Sequence, residues 1–376
     1  VRDASGVTDA FRVDALAIRD WRNLASVAVA LPPEGLVVVG DNGHGKTNFL
    51  EAVYALQLLR PARGGRDLDA VRFGADGWHV RATGTFRGAR ELALGFERAR
   101  RRKKVVVDGA EVPRLGDALG HLPSVYLAPD DQRLVAGPPT ERRRFLDIVL
   151  ALTSRPYLQA LTHYRAALAR RNAALRSAPR DPQAEGHAAV WEPTLARYGA
   201  VLWAARAAWV AAHADAYAAT CTAIGERGAA ALALAVPGGR DGRDEASLLG
   251  QLERQRAHDL RRGQTHAGPH RDDLELTLDG RELRTFGSAG QQRTAAFALR
   301  LLEAATWRDA TGAAPLLLLD DPFAELDEGR AHRILQLLAT GGRGQVLLCV
   351  PRAGDVPPAL TALARASMRD GTLTLA

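Results

Sequence analysis

The chain has 376 residues, of which 47% are apolar and 25% charged, with a formal net charge of +7. That length allows one large or two ordinary domains with a sizeable core, and the composition is that of a soluble globular protein rather than a disordered or fibrous one. No run of about 18 apolar residues occurs, which excludes a membrane-spanning helix, and the basic charge permits a nucleic-acid partner without requiring one.

The first thirteen residues, VRDASGVTDAFRV, show no apolar core of signal-peptide length. Strands are predicted at VDALAIRDW (13–21) and GLVVVG (35–40), with a loop around Pro32 and Pro33 between them. A glycine-rich turn follows, then an amphipathic helix from about Thr47 to Leu59 with Leu50, Val53, Tyr54 and Leu58 on one stripe. Residues 63–74 read as an irregular loop. Three strands, WHVRATGTF, ELALGFER and KVVVDG, come next, the last turning at Asp108–Gly109, and SVYLA (124–128) reads as a short buried strand.

From about Glu141 the texture changes to alanine-rich, helix-favouring segments at 141–153, 157–176 and 195–224, with a break at SAPRDPQAEG (177–186). Strand character returns at DLELTLDG (273–280), followed by a helix from about Gln291 to Arg308, the apolar strand PLLLLDD and a last strand, QVLLCV. Strands at both ends with helices between them predict an α/β fold: a discontinuous lobe at 12–135 and 260–376 carrying a helical lobe at 136–259. The two cysteines, Cys221 and Cys349, suit no metal spacing or disulfide framework, which points to a reducing, cytoplasmic setting.

GDNGHGKT fits G-x-x-x-x-G-K-[ST] between a strand and a helix. Gly40, Gly43 and Gly45 let the backbone of Gly40, Asp41, Asn42, Gly43, His44 and Gly45 curl so that its N–H groups face one concavity, a nest for phosphate. The helix beginning near Thr47 and Asn48 points its N-terminus at the same spot. Lys46 is one of three lysines in the chain, the others being Lys103 and Lys104. A compact ammonium reaches β and γ phosphates in a crowded cradle where a guanidinium fits poorly, and the Thr47 hydroxyl can serve Mg2+.

The complement is predicted at the other end of the chain. The strand Leu316–Leu319 delivers Asp320 to its C-terminal end, where open α/β sheets place ligands, so Asp320 is expected to hold Mg2+ directly or through water. Asp321 is placed to orient or deprotonate an attacking water; the other reading of the pair is helix capping. Ser288, Gly290 and Gln291 in FGSAGQQRT offer amides and a helix N-terminus to a second anion, or make an ordinary N-cap.

Together these segments resemble the ABC-type ATPase heads of the SMC family: SAGQ (288–291) the signature motif, LLLLDD the Walker B strand, and AELD (324–327) the D-loop. More narrowly the chain resembles the RecF family of bacterial DNA replication and repair proteins, through DWRNL (20–24), GDNGHGKTNFLEA (40–52), LAPDDQRLVAGPPTERRRFLD (127–147), RRNAAL (170–175), GPHRDDL (268–274) and GSAGQQRT (287–294). The resemblance implies an ABC-type P-loop head with a helical second lobe, ATP and Mg2+ as cofactors, ATP-dependent homodimerisation and weak hydrolysis. It also implies binding to duplex DNA and single-strand gaps, and work with RecO and RecR type mediators in loading recombinase. Ser288, Gly290 and Gln291 are then expected to meet the γ-phosphate held by the other protomer. Ala289 stands where the family commonly has Gln, LCVPRAGD (348–355) lacks the usual threonines, and Gln132 falls near the place of a Q-loop glutamine.

ERARRRKK (97–104) is either a DNA-gripping hairpin or a solvated tip, and ERRR (141–144) opens a helix where an external anion would be favourable. His266 and His270 are separated by Gly268 and Pro269, which argues against a shared metal, and Trp191, Trp203 and Trp209 read as core of the helical lobe. The rival functions are a transporter-type ABC ATPase energising a membrane partner and a P-loop small-molecule kinase.

Overall fold

In strand β1 (Arg12–Trp21) Val13, Leu16, Ile18 and Trp21 point inward, with the alternation stepping at a bulge between Val13 and Ala15. The segment between the predicted strand 13–21 and the loop at Pro32 and Pro33 is a strand the sequence reading lacks, β2 (Leu24–Ala30): Leu24, Val27 and Val29 alternate inward and pair it antiparallel with β1. After β3 (Gly35–Val39) and helix α1 (Lys46–Leu58), strands β4 (Gly77–Thr85), β5 (Glu91–Glu97), β6 (Arg102–Val107) and β7 (Ala110–Glu111) complete an antiparallel sheet of order β2-β1-β4-β5-β6-β7. Strand β8 (Ser124–Leu127) belongs to a second sheet. The computed structural model describes residues 11–236, 242–323, 326, 328–340 and 344–376. The N-terminal reading up to residue 10, and the D-loop reading at 324–327 apart from Leu326, lie outside them.

The described chain forms two compact units, one from the residues up to Asp131 together with Leu299–Ala376, the other Gln132–Ala298. The second unit contains α2 (Pro139–Thr153), α3 (Arg155–Ser177), α4 (Ala184–Ala189), α5 (Glu192–Ile224), β9 (Ala230–Ala235), α6 (Glu245–Arg262), β10 (Asp273–Leu278), β11 (Arg281–Glu282) and the start of α7 (Ala289–Thr311). Helices α4 and α6 and strand β9 were not anticipated. The unit runs to Ala298, past residue 259 where the sequence reading closes the helical lobe, because β10 pairs along its length with β9 and Asp272 is ion-paired to Arg206 on α5.

Buried arginines hold this unit together. On α3 Arg171, fully buried, reaches Glu192 at 2.9 Å, Asp259 at 2.7 Å and the Thr265 hydroxyl at 2.8 Å. Arg206 donates to Asp147 at 2.7 Å, Asp272 at 2.8 Å and the Pro269 carbonyl at 2.7 Å. The GPHRDD segment is therefore the joint between α2, α3 and α5, with Trp203 Nε1 donating to Asp272 and Arg142 forking onto Asp273.

The returning chain supplies β12 (Leu316–Asp320), α8 (Glu328–Thr340), β13 (Val346–Val350), β14 (Ala364–Arg369) and β15 (Thr372–Leu375). QVLLCV is thus not the last strand. The second sheet runs β15-β14-β3-β13-β12-β8, parallel except for the β15 edge. Helix α1 contacts strands of both sheets in this unit. It is buried on every side, Phe49, Leu50, Ala52, Val53 and Ala55 being inaccessible, rather than on the single stripe expected for a surface helix.

His270 yields a pH prediction. Its Nδ1 accepts from the Tyr164 hydroxyl at 2.7 Å and its Nε2 faces the Thr265 carbonyl at 3.0 Å. Burial pushes it from 6.5 down to about 4, Arg271 and Arg143 adding to that push against the Thr265 carbonyl. Between those two values the unfolded chain binds a proton that the native chain refuses, so stability falls as pH drops from about 6.5 to about 4. At about 1.4 kcal/mol per unit the loss approaches about 3 kcal/mol. Urea midpoints at pH 7 and pH 5 should separate less in His270→Gln than in the parent.

Candidate functional site

Parallel strands end together, and here three of them bring the predicted residues to one edge. Across the ladder Val38 pairs with Cys349 and Cys349 with Asp320, so β3, β13 and β12 finish side by side. The turn after β3 lies at that edge. Gly43 and Gly45 have φ of 86° and 109°, left-handed values that side chains seldom adopt, and Gly45 packs against Asn23 and Leu24. Gly40 is required for a different reason: a Cβ there would lie 2.3 Å from the Met368 carbonyl oxygen of β14. Asp41, Asn42 and Gly43 are exposed at the tip of the loop, while Lys46 is buried and its Nζ donates to the carbonyls of Gly40 (2.6 Å) and Asp41 (2.9 Å).

The β14–β15 turn clasps this loop. The Asp370 amide donates to His44 Nδ1 at 2.9 Å and the Gly371 amide to the His44 carbonyl at 2.9 Å. Two strands absent from the sequence reading therefore fix the shape of its best-defined motif.

Thr47 Oγ1 lies 3.2 Å from Asp320 Oδ1, joining residues 273 positions apart. The other carboxylate oxygen, Oδ2, accepts from the Tyr126 hydroxyl at 2.9 Å. Burial pushes Asp320 above the usual carboxylate range, opposed by the hydrogen bonds from Thr47 and Tyr126 and by the cations Arg63 and Lys46. The hydroxyl and carboxylate are hard oxygen donors that suit Mg2+. Asp321 sits at φ 45° with its amide on the Cys349 carbonyl at 2.8 Å, a strained left-handed turn straight off the strand end. Cys349 is buried between these groups, its Sγ 3.7 Å from the Lys46 carbonyl, and burial raises its thiol well above the ordinary value.

Arginines from two loops anchor α1. Glu51, one turn beyond Thr47, is inaccessible and accepts from Arg22 (2.8 and 3.1 Å) and Arg63 (2.8 and 3.3 Å), with the Arg63 amide adding a bond at 3.0 Å. Asn48 Nδ2 donates to Asn23 Oδ1 at 2.7 Å and its Oδ1 accepts from Arg63 at 2.5 Å. The DWRNL segment thus serves the phosphate turn by bracing the helix behind it. The sequence does not show what Glu51, Arg63 and Tyr126 bind, because their partners lie 12 to 194 residues away.

Ser288, Gly290 and Gln291 belong to the second unit. The Ser288 amide donates to Gln291 Oε1 at 2.8 Å and the Gln291 amide to Ser288 Oγ at 3.3 Å, a reciprocal cap that opens α7. Ser288 and Ala289 are exposed. Gln132 Nε2 donates to Gln292 Oε1 at 2.9 Å in the same unit.

The anion expected over ERRR is met from within: Arg142 pairs with Asp273, and Arg143 donates to the Asp272 carbonyl. Trp203 and Trp209 are buried, and Trp191 is half-buried beneath the Arg170 guanidinium, 4.7 Å from the ring centre. His266 joins Asp259 at 2.7 Å, with His258 beside it, whereas His270 turns to Tyr164. At the β5–β6 tip Arg98, Arg100, Arg101, Arg102 and Lys104 are exposed or nearly so, while Lys103 is tied to Asp67 at 2.8 Å.

A family model described as "AAA domain, putative AbiEii toxin, Type IV TA system" matches residues 36–349. The DNA replication and repair protein RecF of Anaeromyxobacter sp. (strain K) is 41% identical, over 86% of this chain and 88% of its own. RecF of Frankia alni is 38% identical over 92% and 95%. Among solved structures, that of the recombination mediator RecF with ATP superposes with a TM-score of 0.89 at 25% identity over the full length of both chains. An Smc head bound to the C-terminal winged-helix domain of ScpA shares the fold, with a TM-score of 0.55 at 16% identity over 97% and 96%.

The Glu51 cluster is open to test. Burial alone would raise this carboxyl above its ordinary 4.5, and the Arg22 and Arg63 hydrogen bonds outweigh it and hold it lower. Glu51→Gln should destabilise the protein by about 3 kcal/mol at pH 7, as when one partner of a buried pair is removed. Because the folded value is depressed, the parent's advantage is complete above about 4.5 and disappears as pH falls through the lower folded value. Denaturant titrations of both proteins at pH 7 and in acid will read the difference.

Proposed function

The chain belongs to the RecF family of DNA replication and repair proteins, P-loop ATPases, and from that premise we propose that it is an ATP-dependent, dimerising, DNA-binding ATPase of recombinational repair and replication-fork maintenance. The observation that carries this reading is the meeting of Thr47 with Asp320 at 3.2 Å beside the Lys46 loop. It unites a phosphate cradle with a carboxylate at the end of a parallel strand.

In this proposal the amides of residues 40–48 and the N-terminus of α1 hold the phosphates of ATP. Lys46 leaves the loop carbonyls for the β and γ phosphates. Thr47 and Asp320 hold Mg2+, which when bound neutralises charge developing on the phosphates. Asp321, held in its tight turn, orients or deprotonates the attacking water. Its side chain is shorter than a glutamate by one methylene, which favours slow turnover and the use of ATP as a dimerisation switch. Ser288, Gly290 and Gln291 are assigned to the γ-phosphate of a second copy, the cap at Ser288 leaving neighbouring helix amides to meet an anion.

DNA contact is assigned to the exposed arginines at the β5–β6 tip, with gapped duplex as substrate and RecO and RecR type mediators as partners in recombinase loading. Among the described residues no helix is long and apolar enough to cross a membrane. A cytoplasmic setting is part of the proposal, and nothing favours a transporter-type role.

Two variants test it. Lys46→Ala should fold yet lose ATP binding by calorimetry, since the nest keeps its amides but loses its mobile cation; unchanged affinity would remove Lys46 from the phosphate site. Ser288→Arg should bind ATP as a monomer and fail to dimerise, because a closed interface has no room for a guanidinium. The salt slope of DNA binding should then fall with the number of phosphates contacted, at about 0.9 per phosphate. ATP-dependent sedimentation of the variant as a dimer would refute the shared site.

A further inference from the structure

Resting on that reading of the nucleotide site, we propose that Tyr126 sets its metal preference by reducing Asp320 to a one-oxygen ligand. Tyr126 lies opposite Leu318 in the β8–β12 ladder, and residues two apart on a strand share a face. Its side chain therefore stands on the same side of the sheet as Asp320, diagonally across from it. The phenol hydroxyl uses this position to donate to Oδ2 at 2.9 Å, while Oδ1 alone faces Thr47 at 3.2 Å. Both side chains are buried, and the Tyr126 ring is held against Tyr54, centroids 5.3 Å apart, so the hydroxyl has little freedom to leave.

The consequence is one of coordination chemistry. Mg2+ demands near-ideal octahedral geometry, retains water and takes carboxylates through one oxygen, whereas Ca2+ accepts six to eight oxygens and readily uses both oxygens of a carboxylate. For Asp320 to close on an ion with both oxygens, Oδ2 must share its lone pairs between the ion and a buried, charge-assisted hydrogen bond, or give that bond up, and either weakens it as a ligand. The Tyr126 hydroxyl thus disfavours the larger, oxygen-rich ion and leaves the smaller one untouched. It is a positioning residue, acting through Asp320 rather than on the nucleotide. Tyr126→Phe keeps the ring and its packing on Tyr54 but frees Oδ2.

The test uses the full chain with ATPγS and Mn2+, following bound Mn2+ by electron paramagnetic resonance while Mg2+ or Ca2+ displaces it. Tyr126→Phe should shift the ratio of half-displacing concentrations toward Ca2+ by about fivefold or more, with metal-free ATPγS binding retained and the variant still folded. Tyr126→Leu should show the same shift. A ratio that stays within about twofold of the parent in folded Tyr126→Phe overturns the proposal, as does a shift seen in the Leu variant alone, which would assign the effect to ring packing. Asp320→Asn in the same assay separates this inference from the reading beneath it. If it leaves Mn2+ affinity intact, the metal-site assignment itself fails; if it weakens Mn2+ while Tyr126→Phe leaves the ratio alone, only the role of Tyr126 falls.

Discussion

Parallel pairing of β3, β13 and β12 is the constraint on which the rest of the first unit depends. Strands running the same way finish at one edge, so the turn after Val39 and the carboxylate at Asp320 meet although most of the chain lies between them. Such a sheet is covered on both faces, and its strands are accordingly continuous apolar runs: Leu316–Leu319 and Val346–Val350 show no alternation. Helix α1, with contacts to strands of both sheets, is driven to be apolar all round. That leaves the polar Glu51 on it needing internal partners, and Arg22 and Arg63 supply them.

The second unit spends its charge differently. Arg142, Arg171 and Arg206 are each buried, and each forks onto carboxylates from other elements. Guanidinium suits this work because its planar donors satisfy several acceptors at fixed angles. Burying such pairs adds little net stability against their desolvation, yet their geometry admits few alternatives. These three arginines are therefore architectural, and because each is matched by carboxylates buried with it, the pairs leave the net charge of +7 to the rest of the chain. The exposed arginines of the β5–β6 tip are a separate population.

How much was legible follows from the reach of each interaction. The phosphate turn, α1 and the apolar strand before Asp320 are encoded within a dozen residues each, where glycine spacing and hydrophobic run length speak directly. Helices α2, α3, α5 and α7 are legible for the same reason, whereas α6 and α8 are not anticipated. Strands β2, β14 and β15 were not: each is short and alternating, and each becomes a strand by pairing with a neighbour the local pattern does not name. GPHRDD was recognised as distinctive, but its role as a joint depended on Arg206 and Arg142, 66 and 131 residues from their aspartates.

The sequence by itself determined that a phosphate cradle with a single mobile ammonium follows one strand and that a carboxylate ends another, because strand, turn and helix are written in nearest neighbours. Only the tertiary structure decided that β13 stands between those strands, that His44 is clasped by the β14–β15 turn, and that the two oxygens of Asp320 go to Thr47 and Tyr126. A hydrogen bond between residues far apart in the chain leaves no periodicity in either segment; it exists only once the fold has brought the two segments together at the end of the parallel strands.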